Sequence, residues 1–339
     1  MLILTNCLST QPDEGCLKVA NSLITRMKAC FNDVTIISYD RHSPDSDIHL
    51  PLNKLFLNTR LVSIIRKSRG ELLYFPFPSK PITTALRTFM LSLYSPAPVN
   101  VLIAMNGKLT FPAMLLYWLS RAKFFLLSSS TAQQFQQGLG KKRAVYLKTG
   151  VDVDRFVPVD ETCKRALRVA YGLDPEKKTI LHVGHLKRGR NVQQLLQIDP
   201  EYQVVLVSST LTQREQDLDL RKELLSRPNI HLFEDYLPNI QEIFQLADAY
   251  FFPVVESNNC IDVPLSCLEA AACNIPVVST PYGEMQEFLD REGFIPLHNM
   301  SPDGINAALA SALSQTHVHT RDVVLDYNWA QALNILHHK

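Results

Sequence analysis

The chain has 339 residues, 46% of them hydrophobic and 20% charged, which excludes a disordered or low-complexity protein and leaves room for two moderate cores. Its seven cysteines are odd in number, form no CxxC pair and sit mostly among apolar neighbours, which argues against a disulfide frame or a zinc site and for a reducing, cytoplasmic setting. The net charge of +1 conceals a split: 19 Lys/Arg face 9 Asp/Glu up to Pro158, against 15 and 24 beyond it.

In chain order, Leu2 to Thr5 reads as a short buried strand, too brief an apolar run for a signal peptide. A polar loop from Asn6 to Glu14, Gly15, a helical pattern from Leu17 to Ala29 and a β-branched run from Val34 to Ser38 follow, so the chain opens as strand, helix, strand. Further strands are expected at Glu71 to Phe75, Val99 to Met105 and Phe124 to Ser128, with helices near 82–94, 110–121 and 131–138. The polar, charged stretch near 157–178 reads as a hinge. A second series begins at Thr179 to Val183, continues through a helix at Val192 to Ile198, and recurs as strands at Gln203 to Ser208, Ile230 to Phe233, Ala249 to Pro253 and Pro276 to Ser279. Alternating strands and helices predict α/β architecture with two doubly wound parallel sheets: a domain over 1–156, a second over 157–316, and a terminal segment over 317–339. No run of about eighteen apolar residues suggests a membrane span.

Between Asp47 and Asp152 the only acid is Glu71, so the first half is expected to meet an anionic partner: a lipid head group, a phosphorylated acceptor or a membrane surface. Segment Lys54 to Arg69 reads as a helix with apolar and cationic faces, suited either to core packing or to peripheral contact with an anionic membrane. Asp45-Ser-Asp47, Asp152-Val-Asp154 and Asp217-Leu-Asp219 spell DxD, but they fall in a polar loop, a linker and a helical charge run, so no metal site is expected. The ten histidines show no HExxH spacing, and basic residues do not interleave with aromatics as nucleic-acid binding would require.

In open parallel sheets ligands bind beyond the carboxyl ends of the strands. The loop after Thr179 to Val183 carries Gly184, His185, Lys187, Arg188 and Arg190 ahead of a helix start, a combination suited to a diphosphate. After Ala249 to Pro253 an exposed loop holding Asp262 leads through Pro264 into a helix bearing Leu265, Ser266, Leu268 and Glu269. A carboxylate there can either grip two vicinal hydroxyls or simply complement the helix dipole.

The order and spacing of these segments resemble the family 4 glycosyltransferases. Tyr146 to Pro158 resembles "NGVD..RF.P", Val183 to Val192 resembles "VGRL...KG", Asn229 to Pro253 resembles "NV.F.G....Y..AD....P", and Leu268 to Thr280 is close to "LEAMACG.PVV.T". Tyr282, Gly283 and Glu287 follow as "GG..E" would, while in the first half the likeness is confined to the first strand, Gly15 and Ser128 to Thr131. The resemblance implies a GT-B fold of two Rossmann-like domains across a cleft, and a metal-independent, cofactor-free, retaining transfer of a hexose. The donor would be a UDP- or GDP-linked sugar, and the acceptor a saccharide or lipid-linked glycan. By that likeness Arg190 neutralises the leaving diphosphate, Glu269 holds the ribose, Gly15 approaches the donor from the first domain, Leu265 and Ser266 offer amides to the distal phosphate, and Tyr236 with Leu237 edges the base. The terminal segment with Trp329 resembles a helix that packs back on the first domain.

Three positions depart from the family pattern: His185 stands for an arginine, Ile261 beside Asp262 for the first glutamate of E-x7-E, and Asn106 for a donor-contacting histidine. They leave a second reading open, a catalytically impaired transferase-like subunit that binds or scaffolds. An epimerase or phosphorylase on the same fold is a third, although no lysine-bound cofactor motif is evident.

Overall fold

The structure, a computed structural model, describes residues 1–6, 8–12, 14–40, 43–68, 70–77, 80–104, 109–209, 217–256, 260–315 and 317–338. The chain divides into two units, Met1–Thr149 with Trp329–Lys339, and Gly150–Asn328. The join thus falls at Thr149, not at the 156/157 boundary read from the sequence.

Unit 1 is built on strands β1 (Leu2–Thr5), β2 (Thr35–Ser38), β3 (Ile48–His49), β4 (Leu72–Phe75), β5 (Val99–Ile103), β6 (Lys123–Leu126) and β7 (Ala144–Tyr146). They form one parallel sheet in the order β3-β2-β1-β4-β5-β6-β7. β1, β4 and β5 are buried along their whole length, which is why each reads as an unbroken apolar run and not as an alternation. The crossovers carry helices α1 (Gly15–Cys30), α2 (Thr59–Lys67), α3 (Pro81–Tyr94), α4 (Phe111–Ser120) and α5 (Ser129–Leu139). Asn58 and Ser128 start α2 and α5 by accepting from the amides of Leu61 (3.0 Å) and Thr131 (3.2 Å).

Unit 2 opens with α6 (Glu161–Ala170), so the stretch expected as a hinge is a helix fastened to its own sheet. It continues with β8 (Thr179–Gly184), β9 (Gln203–Ser208), α7 (Leu218–Leu225), β10 (Ile230–Phe233), α8 (Ile240–Gln245), β11 (Ala249–Phe252), α9 (Leu265–Ala272), β12 (Val277–Ser279), β13 (Phe294–Pro296), α10 (Pro302–Leu313) and α11 (Thr320–Val324). The six strands are again parallel, ordered β10-β9-β8-β11-β12-β13. The helix expected at Val192 to Ile198 is instead a pair of 3-10 turns, Arg188–Arg190 and Val192–Gln197, broken by Asn191 in the left-handed region at φ 57°. The closing helix α12 (Trp329–His338) belongs to unit 1, where the Arg26 guanidinium lies 6.0 Å from the Trp329 ring.

Each sheet therefore winds outward from its first strand in both directions. The switch in direction falls between β1 and β4 in unit 1 and between β8 and β11 in unit 2.

Candidate active site

The β8/β11 switch point brings together the two loops singled out in the second half of the sequence. Asn191 fastens them, its side-chain amide donating to the Pro253 carbonyl at 3.0 Å, and its left-handed backbone turns the chain from one 3-10 segment into the next. A third loop joins from β12. Gly283, at φ 53°, lies against the Asp262 carbonyl so closely that an added Cβ would stand 2.1 Å from that oxygen, and the Glu284 amide donates to the same carbonyl at 2.9 Å. Tyr282 holds Cys260 by both backbone groups, accepting from its amide at 3.2 Å and donating to its carbonyl at 2.7 Å.

Arg190 returns over the end of β8. One of its terminal nitrogens lies 3.2 Å from where a side chain at Gly184 would begin, so the missing Cβ is what lets the guanidinium lie on the strand end. Beneath it, fully buried, His182 donates from Nδ1 to the Phe251 carbonyl at 2.8 Å and leaves Nε2 without a partner. The His182 ring stacks on Tyr250 at 6.5 Å, and the Tyr250 hydroxyl bonds the backbone of Val183 and the Ser266 side chain. Glu269, only 5% exposed, acts electrostatically on the same tyrosine from α9. Arg190 and Glu269 thus each act on one member of a single ring pair, His182 and Tyr250. Neither ring was singled out from sequence, because both sit inside ordinary strand runs; the signal that could have found His182 is a histidine two residues before a strand-ending glycine.

The other cations of the loop separate. Arg188 turns to α7, pairing with Asp217 (3.1 Å) and Glu223 (2.6 Å), so its charge is met by those two acids. Lys187 remains close enough to His185 to act on its ionisation. Burial first, then Arg190 and Lys187, push the His185 pKa down to about 3, so this side chain is neutral at physiological pH. Burial likewise takes His182 to about 4, the Phe251 carbonyl opposing and Arg190 reinforcing the shift.

These two histidines make stability depend on pH with a definite sign. Unfolded histidine binds a proton near pH 6.5, whereas the folded chain refuses one down to about pH 4 or 3. Stability is therefore intact above about pH 6.5 and falls as pH drops, at up to about 1.4 kcal/mol per pH unit for each histidine. In thermal melts followed by circular dichroism, H182F, which keeps a ring against Tyr250, should flatten the decline between pH 7 and 5; an unchanged slope would remove His182 as its cause.

At α9, Pro264 occupies the N-cap position and supplies no side-chain cap, so among the described residues the first amides, those of Leu265 and Ser266, are open to an anion. Leu268 and Ile261 are buried in the core, so their side chains pack and do not face a ligand. Tyr236 and Leu237 follow β10, at the sheet edge beyond β9. In unit 1, Gly15 opens α1, but the Glu14 carboxylate already accepts from the amides of Cys16 (2.9 Å) and Leu17 (3.2 Å), so that helix start carries its own anion. Asn106 lies outside the described residues. Among the DxD carboxylates, Asp47 accepts from the Ile36 amide at 2.7 Å and Asp217 caps α7 through Leu220 at 2.9 Å. Among the described residues no group of three His, Cys, Asp or Glu is placed to hold a metal ion, and no helix is long and apolar enough to cross a membrane.

Two doubly wound, all-parallel α/β units in one chain define the GT-B class of fold. Residues 177–316, wholly within unit 2, match the family model described as glycosyl transferases group 1. Among solved structures, the chain is similar to a glycosyltransferase from Rickettsia africae (12% identity, 99% of this chain and 96% of that one, TM-score 0.78). It is also similar to Anabaena HepE in complex with UDP-glucose (11% identity, 99% and 98%, TM-score 0.76) and to a UDP-GlcNAc 2-epimerase from Methanocaldococcus jannaschii (12% identity, 100% and 99%, TM-score 0.61). No curated protein matches the chain by sequence.

Proposed function

We propose that the chain is a retaining, metal-independent hexosyltransferase of the family 4 type, drawing on a UDP- or GDP-linked sugar and delivering to a saccharide or lipid-linked acceptor. The observation that carries this reading is the pairing, at the β8/β11 switch point, of a guanidinium laid over Gly184 with the uncapped start of α9. In this reading the amides of Leu265 and Ser266 receive the distal phosphate, while Arg190 neutralises charge as it grows on the leaving diphosphate. Glu269 accepts from the ribose hydroxyls. With His185 neutral, the fixed positive charge of the loop comes from Arg190 and Lys187. The match of residues 177–316 to glycosyl transferases group 1 supports this assignment, and the HepE structure with UDP-glucose supports a uridine donor.

Two observations favour a second reading, a transferase-like subunit with impaired catalysis: Arg188 is spent on two acids, and Ile261 is buried where the family pattern has a sugar-contacting glutamate. A thermal-shift screen against UDP, GDP and ADP, then incubation with each sugar of the responding nucleotide, separates the readings. A transferase raises its melting temperature with one nucleotide and releases that nucleotide from its sugar donor. An epimerase converts the donor without releasing nucleotide, a binding subunit shows the shift with no turnover, and no shift with any of the three would sink the nucleotide-sugar reading.

A further inference from the structure

On unit 1, α4 carries four large apolar side chains that stand exposed among the described residues: Phe111 (82% exposed), Leu115 (48%), Trp118 (59%) and Leu119 (47%). Their spacing of i, i+4, i+7 and i+8 puts them on one helical face, while Ala113 and Tyr117 on the opposite face pack into the core. Scattered exposed apolar residues are ordinary; a contiguous stripe with two aromatics is not.

The charge around the stripe is one-signed. Arg143 donates to the carbonyls of Tyr117 (2.6 Å), Trp118 (3.1 Å) and Ala122 (2.9 Å), which fastens the turn holding exposed Lys141 and Lys142 to the carboxyl end of α4, beside exposed Arg121. Between Ile48 and Thr149 there are 14 Lys/Arg and a single acid, Glu71, which accepts from Asn100 at 3.1 Å. The acids Asp33, Asp40, Asp45 and Asp47 gather around β2 and β3, at the far edge of the sheet from β6 and β7. In the segment that the sequence singled out for membrane contact, α2 turns Leu61 and Ile65 into the core and presents Thr59, Arg60, Ser63, Arg66 and Lys67 outward, with Leu55 (40%) and Leu57 (53%) exposed ahead of it.

We propose that α4 is a docking face for an anionic lipid bilayer, with Phe111, Leu115, Trp118 and Leu119 entering the interfacial layer and Arg121, Lys141 and Lys142 meeting acidic head groups. Aromatic rings at head-group depth beside lysine and arginine are the chemistry that holds a helix in the interfacial plane without spanning it. The inference does not depend on the donor chemistry proposed above, and its test does not involve turnover.

The chain reports on this face directly, because it has two tryptophans and the other, Trp329, is 4% exposed. Mixing the full chain with vesicles of phosphatidylglycerol and phosphatidylcholine at low salt should shift tryptophan emission to the blue and sediment the protein; pure phosphatidylcholine should do much less. W118F should lose the emission shift while still sedimenting. F111S/L115S/L119S, all surface changes that leave the fold intact, should weaken sedimentation at least tenfold, and K141A/K142A roughly fivefold for each lysine removed. No sedimentation with anionic vesicles, or sedimentation indifferent to F111S/L115S/L119S, would overturn the proposal. So would a vesicle-free dimer in analytical ultracentrifugation that dissociates in the triple variant, because the stripe would then be an interface between copies.

Discussion

Replacing Arg190 with alanine is expected to lower turnover about 10²- to 10³-fold while weakening nucleotide binding far less. The asymmetry follows from when the charge appears. On the proposed reading a further negative charge would collect on the leaving oxygen of the donor as the bond breaks, and a guanidinium fixed over Gly184 would meet it without having to reorganise. R190K should recover part of the loss, since a lysine brings the charge but not two parallel donors. Glu269→Ala should behave in the opposite sense: a carboxylate gripping hydroxyls stabilises ground state and transition state alike, so KM rises on the order of tenfold or more while kcat changes little. Steady-state kinetics with the donor selected by the nucleotide screen would decide. R190A with kcat within about threefold of the parent would end the assignment, and so would E269A with KM unmoved.

Much of this site was legible because the topology dictates where to look. The strands Thr179–Gly184 and Ala249–Phe252 stand out as largely buried apolar runs, and in a parallel sheet each announces the loop that follows it. What stayed hidden depends on partners distant in sequence. Arg188 looks like one cation among several until Glu223, 35 residues away, claims it. A short-range contact stayed hidden as well: at the helix start that Gly15 opens, the Glu14 carboxylate closes over the Cys16 and Leu17 amides. β3, β7 and β13 are two or three residues long and owe their assignment to pairing with a neighbour's backbone, which no local pattern encodes. The stretch near 157–178 resembled a hinge because α6 is polar and charged along most of its length, yet one of those charges is a core residue.

That residue, Arg168, makes the largest stability prediction. It is 2% exposed and donates to the Leu246 carbonyl (3.0 Å), the Pro175 carbonyl (3.1 Å) and the Asp248 carboxylate (2.6 Å), while Asp248 also accepts from the Thr179 amide (2.8 Å) and faces Lys164 (3.3 Å). The cluster sits at the amino ends of β8 and β11, opposite the candidate site, so its work is to fasten α6 to the sheet. Burial alone would raise the Asp248 pKa; Lys164, Arg168, the Thr179 amide and Lys178 outweigh it and hold the carboxyl below its ordinary value. The stabilisation is accordingly complete above about pH 4 and is lost as pH falls below it. Asp248→Ala strands a buried guanidinium and should cost about 3–5 kcal/mol, a fall of roughly 10 °C in the transition of this unit. Replacing both partners, as R168M/D248L, removes the unpaired charge and should be less damaging than D248A alone, leaving the Thr179 amide and the Leu246 and Pro175 carbonyls to be compensated. Differential scanning calorimetry of the full chain at pH 7 can separate these cases. A double variant that melts below D248A would show that the pair holds α6 through something other than mutual neutralisation.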